Sequence, residues 1–151
     1  MSELAERMQQ DLKEAMKARD AAKVATLRMA IAAVKEEAVA GASARELSDA
    51  DVEKVLRTQV KRRDEAAEAF QAGGREEQAQ RELDERAILS AYLPEEMDDD
   101  ELEAIVEEAL QAGGFTEPSQ MGPAMNTVMA AVAGRAEGKR VSAMVKAKLS
   151  G

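Results

Sequence analysis

Apolar residues recur at intervals of three and four positions along most of the chain, the spacing that places them on one face of an α-helix. The apolar positions of the first predicted helix are Leu4, Met8, Leu12, Ala15 and Met16. Ser2 stands at the expected N-cap, and Arg19 with Asp20 marks a break. The apolar positions of a second helix, which ends near Gly41, are Val24, Leu27, Ile31 and Val34. The short connection predicts that these two helices pack antiparallel.

A third helix is predicted between Ser48 and a pair of glycines. Ser48 is followed three residues later by Asp51, which resembles a capping box, in which the side chain of each residue accepts a hydrogen bond from the backbone amide of the other. The apolar pattern continues to Phe70. It stops at Gly73 and Gly74, because glycine accepts the left-handed conformation that follows a helix end.

A fourth helix is predicted from about Arg75 to Tyr92. Pro94 ends it, because proline restricts the preceding residue to extended backbone. The segment that follows, PEEMDDDE, is short and acidic, so it contributes little to a core. We place a domain boundary there. The sequence predicts an N-terminal helical domain over residues 1–94 and a smaller C-terminal domain over residues 95–151.

Three more helices are predicted in the C-terminal domain. Asp98 with Glu101 is a cap signature for the fifth helix, which glycines 113–114 close, and a loop follows over residues 115–122. Pro123 fixes the start of the sixth helix. The apolar positions of the sixth and seventh helices are Met125, Val128, Met129, Val132, Val141, Met144, Val145 and Leu149. No segment alternates with a period of two residues. The predicted class is therefore all-α, a four-helix domain followed by a three-helix domain.

Composition agrees with helices and removes several kinds of chemistry. Of the 151 residues, 45% are hydrophobic but only 2% are aromatic, a balance that favours helices over strands. Histidine and cysteine do not occur, so the commonest general base and all thiolate chemistry are absent. No apolar run approaches the roughly 20 residues needed to cross a bilayer, and the N-terminus is too polar for a signal peptide. We expect a cytoplasmic protein without a cofactor or a membrane partner.

Three clusters have both a functional and a structural interpretation. The carboxylates at 98–101 could hold Mg²⁺, but consecutive acids at a helix start are more typical of caps, so no metal site is predicted. The methionines at 121, 125 and 129 are interpreted as core, with a partner groove as the alternative. The basic residues interpreted as a solvated face, with an anion site as the alternative, are Lys13, Lys17, Arg28, Lys61, Arg62 and Arg63. No catalytic residue is predicted, because nothing selects a carboxylate pair or a serine.

The last segment of the chain reverses the charge of the chain as a whole, whose formal net charge is -9. The basic residues after Gly134 are Arg135, Lys139, Arg140, Lys146 and Lys148, and the one acid there is Glu137. Gly134 and Gly138 bracket a predicted tight turn, and the amides at the start of the next helix point toward it. Two cations in the first turn of a helix oppose its dipole, which favours a bound anion. The pattern therefore predicts a phosphate-binding surface.

The motifs of this chain resemble those of the GatB/YqeY family, in particular its stand-alone YqeY-like proteins. The segments that carry the resemblance are DLKEAMKARD, VATLRMAIAAVKEE, KRRDEAAEAFQAGGREEQA, ILSAYLP and MGPAMNTVMAAVAGRAEGKRVSAMVKAKL. Together they cover essentially the whole chain. The family's GRADGKLVSE-type turn falls on residues 134–143, where Glu137 replaces the usual Asp and Arg140 replaces the usual apolar residue. Pro123 is a further departure.

The resemblance implies an all-helical protein with an N-terminal helical domain and a smaller C-terminal three-helix domain. It also implies kinship to the tail of the B subunit of the glutamine-dependent aminoacyl-tRNA amidotransferase, a region that contacts tRNA in that enzyme. The family label carries carbon-nitrogen ligase activity with glutamine as amide donor. Because the chemistry of that enzyme belongs to other domains, whether this chain is itself an enzyme stays open.

The leading hypothesis is a tRNA-associated accessory module. Its phosphate contacts would be Arg135, Lys139 and Arg140, supported by Lys146 and Lys148, with Gly134 and Gly138 forming the turn. The alternative is a protein adaptor that docks a tRNA-modifying enzyme or synthetase. An enzyme that assists amide transfer on charged tRNA is the third possibility.

Overall fold

The structure, a computed structural model, describes residues 2–151, and this part of the chain contains seven α-helices and no strand. The helices are α1 (Glu3–Ala18), α2 (Ala21–Val39), α3 (Asp49–Ala72), α4 (Glu76–Ser90), α5 (Asp99–Gly113), α6 (Met121–Val132) and α7 (Gly138–Ser150). The predicted all-α class is therefore confirmed. The chain divides into two compact units, one ending at Leu93 and the other spanning Pro94–Gly151.

Three helix starts follow the predicted cap chemistry. The Ser2 hydroxyl caps α1, and Ser48 forms a capping box with Asp51 at the start of α3. At the start of α5, Asp98 Oδ1 accepts a hydrogen bond of 2.8 Å from the backbone amide of Glu101. These oxygens satisfy amides that have no partner inside the helix. Cap residues in the sequence thus predicted these three boundaries.

The sixth helix begins earlier than the sequence indicated. Residues 115–122 were expected to form a loop, but Gly122 lies in α6, which starts at Met121 directly after a single 3₁₀ turn at Pro118–Gln120. Pro123 lies in the first turn of α6, where a backbone N–H has no helical partner to lose. Gly122 and Pro123 therefore lie inside α6, which begins at Met121.

The N-terminal unit packs α1 to α4 around one apolar core. Its largest fully buried side chains are Met8, Leu27, Val52, Leu56 and Leu89. Tyr92, predicted at the end of α4, lies in the turn that follows Ser90 and is buried, as expected for a core residue. Its hydroxyl donates a hydrogen bond to the Asp11 carboxylate, and the Arg7 guanidinium lies 4.7 Å from its ring centroid. Tyr92 therefore fastens the turn after α4 to α1.

Arg63 is an exception to the solvated face expected for the early basic residues. Only 5% of Arg63 is exposed, because it continues the buried stripe of Leu56 and Val60 on α3. Its guanidinium donates to the Gln59 carbonyl at 3.2 Å and lies 3.5 Å from a Glu85 carboxylate oxygen. Burial of a charge at this position is tolerated because these oxygens pair with it. The prediction of a solvated Arg63 is wrong.

The C-terminal unit packs α5, α6 and α7 around its own core. The largest fully buried residues of this core are Leu102, Val106, Val128, Val132, Val141 and Val145. Met121 and Met125 pack against it and are partly buried, whereas Met129 is 36% exposed. The core interpretation of the methionine stripe therefore holds for two of its three members.

We expect residues 94–151 to fold as a separate domain, because this segment has a core made entirely of its own residues. Expressed alone, the fragment should give the circular dichroism of a helical protein and a single cooperative thermal transition. A fragment that shows little helix, or that melts without cooperativity, would contradict the domain division, which otherwise stays a prediction.

Gly113 is required for packing, although the sequence suggested only a helix stop. It lies inside α5, and only Gly114 adopts the left-handed conformation, with φ 69. A Cβ at position 113 would lie 2.7 Å from Cδ2 of Phe115, which packs against the core. We expect Gly113→Ala to lower the free energy of unfolding by about 1–3 kcal/mol. Gly122→Ala, where a Cβ meets nothing within 4 Å, should be neutral or stabilising in the same urea titration.

Candidate nucleic-acid interface

The turn between α6 and α7 is the centre of the predicted phosphate site. Ala133 and Gly134 adopt left-handed conformations, with φ 52 and φ 79, and Ala136 is buried. Gly138 is the first residue of α7 and does not have a positive φ. The turn lies at residues 133–137, and of the two glycines named from the sequence only Gly134 has a positive φ. The backbone oxygen of Arg135 accepts a hydrogen bond of 2.8 Å from the amide of Met97, just before α5.

Arg135 is held by the segment that leads into α5 and by α5 itself. Its Nε donates to the Glu95 backbone oxygen at 2.8 Å, and its Nη1 lies 2.9 Å from Glu101 Oε1. The guanidinium thus bonds to a backbone oxygen and to a carboxylate within its own unit. Through these contacts Arg135 joins the turn between α6 and α7 to α5 and to the segment before it.

Arg140 lies in the first turn of α7, where a cation without acidic compensation would oppose the helix dipole. The compensation is present, contrary to expectation, because Arg140 Nη2 donates to Asp99 Oδ1 at 2.8 Å. The same nitrogen donates to the Met97 backbone oxygen at 3.1 Å. The inference that this turn needs an external anion is therefore wrong for Arg140.

Lys148 is paired twice with α5. Its Nζ lies 2.7 Å from Glu103 Oε1 and 2.6 Å from Glu107 Oε1. The hydrogen bond and charge of Lys148 lower the pKa of Glu103, and the bonds from Glu103 and Glu107 raise the pKa of Lys148. Both groups are thus held in their charged forms.

The partners of these cations were readable in the sequence. Asp99, Glu103 and Glu107 follow one another at intervals of four residues, which places them on one face of α5. The sequence analysis treated the acids at the start of α5 only as caps or as a metal site. The sequence analysis did not consider that the regularly spaced acids of α5 could pair with the cations of α7.

Lys139 and Lys146 differ from the other three predicted contacts. Both are exposed, and among residues 2–151 neither has a carboxylate within the 4.0 Å of an ion pair. They are seven residues apart and so lie on one strip of α7, away from the strip that carries Arg140 and Lys148. Two of the five predicted contacts are therefore free to meet an anion.

The neighbouring helix α6 presents an uncharged surface. Residues 121–134 contain no charged side chain, although 34% of the chain is charged. The exposed residues of α6 are Gly122, Pro123, Asn126, Thr127, Met129, Ala130 and Ala131. A partner that approaches α6 would thus meet no carboxylate on that helix.

A second polar cluster lies in the N-terminal unit. Arg7, Asp11, Lys23 and Tyr92 line a small cleft beside Ile88. Burial and the hydrogen bond to Asp11 raise the pKa of Tyr92 above its ordinary value, so the phenol stays protonated at neutral pH and does not act as a base. The role of this cluster is to join α1 to the turn after α4.

Two further observations concern metal binding and membrane spans. Within residues 2–151, no group of three or more acidic side chains converges so that it could hold a metal ion. No helix in the same range is both long and apolar enough to cross a membrane.

Comparison with known protein families identifies the family of this chain. The model of the YqeY-like protein family matches residues 5–149, which is nearly the entire chain. The chain therefore belongs to the YqeY-like protein family. Comparison with curated proteins finds no match.

The pairing of Lys148 with α5 predicts a pH dependence of stability. The folded-state pKa of Glu103 is lowered from 4.5, so its contribution is present above pH 4.5 and is lost as pH falls through the folded value. That of Lys148 is raised from 10.5, so its contribution is present below pH 10.5 and is lost as pH rises through the folded value.

We expect Lys148→Met to be less stable than the wild type at pH 7 in urea unfolding, and the difference to shrink at pH 3. Lys146→Met is the control, because Lys146 is exposed and has no ion pair within the described residues 2–151. It should show no comparable pH dependence. A Lys148→Met penalty that is the same at pH 3 and pH 7 would mean that Lys148 acts through packing and not through its charge.

Proposed function

We propose that this protein is a tRNA-associated accessory module whose contact surface consists of α6, the turn at residues 133–137 and the exposed strip of α7. The proposal rests on Lys139 and Lys146, two exposed lysines that have no ion pair within residues 2–151. They lie on one strip of α7, and the neighbouring helix α6 has no charged side chain. Two ammonium groups on one strip can contact two phosphates of an RNA backbone.

The resemblance noted in the sequence supports the same proposal. The C-terminal segment resembles the tail of the amidotransferase B subunit, a region that contacts tRNA in that enzyme. The family label, carbon-nitrogen ligase activity with glutamine as amide donor, suggests that this chain assists an amide-transfer enzyme. An accessory role is favoured over a self-sufficient one because the chemistry of the amidotransferase belongs to other domains of that enzyme.

Fewer cations are available to contact RNA phosphates than the sequence suggested. Arg135, Arg140 and Lys148 would have to leave carboxylates to bind phosphates, and those carboxylates would then repel the RNA. The C-terminal unit also carries eleven acids against five cations. We therefore propose weak, shape-dependent binding through Lys139 and Lys146, with the other three cations holding α7 and the turn in place.

The second candidate is a protein adaptor that docks a tRNA-modifying enzyme or synthetase. The uncharged exposed face of α6 favours it, since depletion of charge is typical of the centre of a protein interface. Met129, which is 36% exposed on this face, offers an adaptable apolar contact. In this interpretation Lys139 and Lys146 lie at the rim.

The proposal is tested by titrating unfractionated tRNA at several salt concentrations. The wild type should bind at low salt, with a slope of log K against log salt of about -1.5, because each phosphate contact contributes roughly 0.7–0.9. The double variant Lys139→Ala, Lys146→Ala should lose most of this slope.

The matched control is Lys54→Ala with Lys61→Ala. These two lysines have the same spacing on α3, are also exposed, and have no ion pair in the part of the chain that the structure describes. It should bind as the wild type does. Equal slopes for the wild type and the Lys139, Lys146 variant would reject the assigned contacts. No tRNA binding by any variant at low salt would reject the module and leave the adaptor.

A further inference from the structure

The N-terminal unit contains a cavity of about 240 Å³ between α1, α2, the connection after α2 and the start of α3. Its walls are largely aliphatic and include Met8, Ile31, Val34, Leu47 and Val52. All five side chains belong to the core of this unit or pack against it. Protein interiors are close-packed and contain few voids larger than a water molecule. A concave apolar space of this size is therefore a candidate site for a small molecule.

The connection between α2 and α3 forms one wall of the cavity and is fastened to both helices. The backbone amide of Arg45 donates to the Ala38 backbone oxygen at 2.9 Å, and Arg45 Nη1 lies 3.1 Å from Asp51 Oδ2. The start of α1 is joined to the start of α3, because the Leu4 amide donates to Asp49 Oδ1 at 3.0 Å. These bonds fix the walls relative to one another. The cavity is thus formed before any ligand enters it, as is usual for small-molecule sites.

The lining of the cavity favours an aliphatic ligand. Among the described residues no aromatic side chain lines it, so a planar ring would have no stacking partner there. Methyl, methylene and thioether groups pack well against an alkyl chain and exclude water from it. An apolar cavity of about 150 Å³ holds benzene, a molecule of six carbons, so by proportion about 240 Å³ holds roughly eight to ten carbons. The long acyl chains of membrane lipids exceed this size.

The charged side chains that line the cavity are Lys35, Arg45 and Glu46. Arg45 is already compensated, because it is paired with both Asp51 and Glu37. Glu46 takes part in an interaction of its own. Lys35 is exposed and forms no ion pair with any residue in the range 2–151. Of these three groups, Lys35 is therefore the one whose charge is available to a ligand.

The position of Lys35 favours a ligand with an anionic head group. An ammonium group on a flexible stem pairs readily with a carboxylate at the exposed end of an alkyl chain. Gln9 of α1 also lines the cavity, and its side-chain amide can donate a hydrogen bond to the same group. Glu36, the acid next to Lys35 in the sequence, does not line the cavity.

We propose that this cavity binds a small aliphatic carboxylate. The alkyl chain lies among Met8, Ile31, Val34 and Leu47, and the carboxylate pairs with Lys35. An alcohol or an amine of the same chain length would fill the same space but would lack the charge that Lys35 attracts. The proposal concerns the N-terminal unit alone and does not rest on the tRNA contacts assigned to α6 and α7.

The experiment titrates the full chain, labelled with ¹⁵N, with sodium octanoate. Octanoate should shift the amide resonances of residues 2–9, 31–38 and 45–52 and leave those of α6 and α7 in place. The dissociation constant should be below about 1 mM. From hexanoate to octanoate the affinity should rise about fourfold for each added CH₂ group, the factor that corresponds to its burial. The rise should level off near decanoate, where the cavity is full.

A variant that fills the cavity tests its location. Ala38 lines the cavity, so Ala38→Leu places a larger side chain inside it. This variant should bind octanoate at least about tenfold more weakly and should unfold at no lower urea concentration than the wild type, because the added side chain occupies empty space. Ala32→Leu is the control, since it makes the same change at an exposed residue of α2 outside the cavity. It should bind octanoate as the wild type does.

A second variant tests the head group. Lys35→Met keeps an unbranched side chain and removes the charge, so it should weaken octanoate binding by about two- to fivefold, the range of an exposed ion pair. Binding of 1-octanol should stay unchanged. Lys17→Met is the control, because Lys17 is exposed, lies outside the cavity and has no ion pair with the residues that the structure describes. It should alter neither affinity, and the wild type should bind octylamine more weakly than octanoate.

Three results would overturn the proposal. One is the absence of octanoate binding to the wild type at concentrations up to about 10 mM. Another is octanoate binding that a folded Ala38→Leu variant retains in full, since the cavity is then not the site. The third is an affinity for octylamine that equals or exceeds the affinity for octanoate. If Ala38→Leu does not fold, Lys35→Met decides the question, and an unchanged affinity of that variant for octanoate rejects the proposal.

Discussion

Charge pairing between α5 and α7 is the constraint on which the functional interpretation of this protein depends. Arg140 and Lys148 of α7 face a row of carboxylates on α5, and Arg135 binds the same helix from the turn. Exposed ion pairs contribute only about 0–1 kcal/mol each, whereas burial of one Val or Leu side chain contributes about 1.5–3 kcal/mol. The apolar core therefore holds the three helices together. The ion pairs fix the orientation of the cations and compensate their charge.

This pairing changes what a cluster of basic residues in the sequence means. A charge count along the chain assigns five free cations to the last segment, but three of them are neutralised by a helix some 40 residues earlier. Lys13, Lys17 and Arg28 were interpreted as part of a solvated face, and they have no ion pair within residues 2–151. Sequence neighbours were a poor guide to the charge partners of the last segment, because Arg135, Arg140 and Lys148 pair with carboxylates 34 to 45 residues away.

The fold was largely predictable from the sequence because its signals are local. Apolar periodicity gave all seven helices, and caps at Ser2, Ser48 and Asp98 gave three boundaries through bonds that span three residues. The candidate site was less predictable, because it depends on contacts over 34 to 45 residues, such as Arg135 with Glu101 and Lys148 with Glu103. Arg63 illustrates the same limit. It belongs to a basic triplet in the sequence, but the stripe of α3 turns it into the core, where Glu85 of α4 pairs with it.

The unusual residue in the turn between α6 and α7 has a structural explanation. Arg140 occupies a position where the related motif has an apolar residue, and as a sequence feature it raised the positive charge of the turn. In the fold its guanidinium bonds to Asp99 and to the Met97 backbone oxygen. Met97 is itself buried and donates its amide to Arg135. The contacts of Arg140 thus join the start of α7 to the start of α5. An apolar side chain at this position would join them by packing. Arg140 is therefore occupied within its own unit, and Lys139 and Lys146 are the cations of α7 that have no ion pair within residues 2–151.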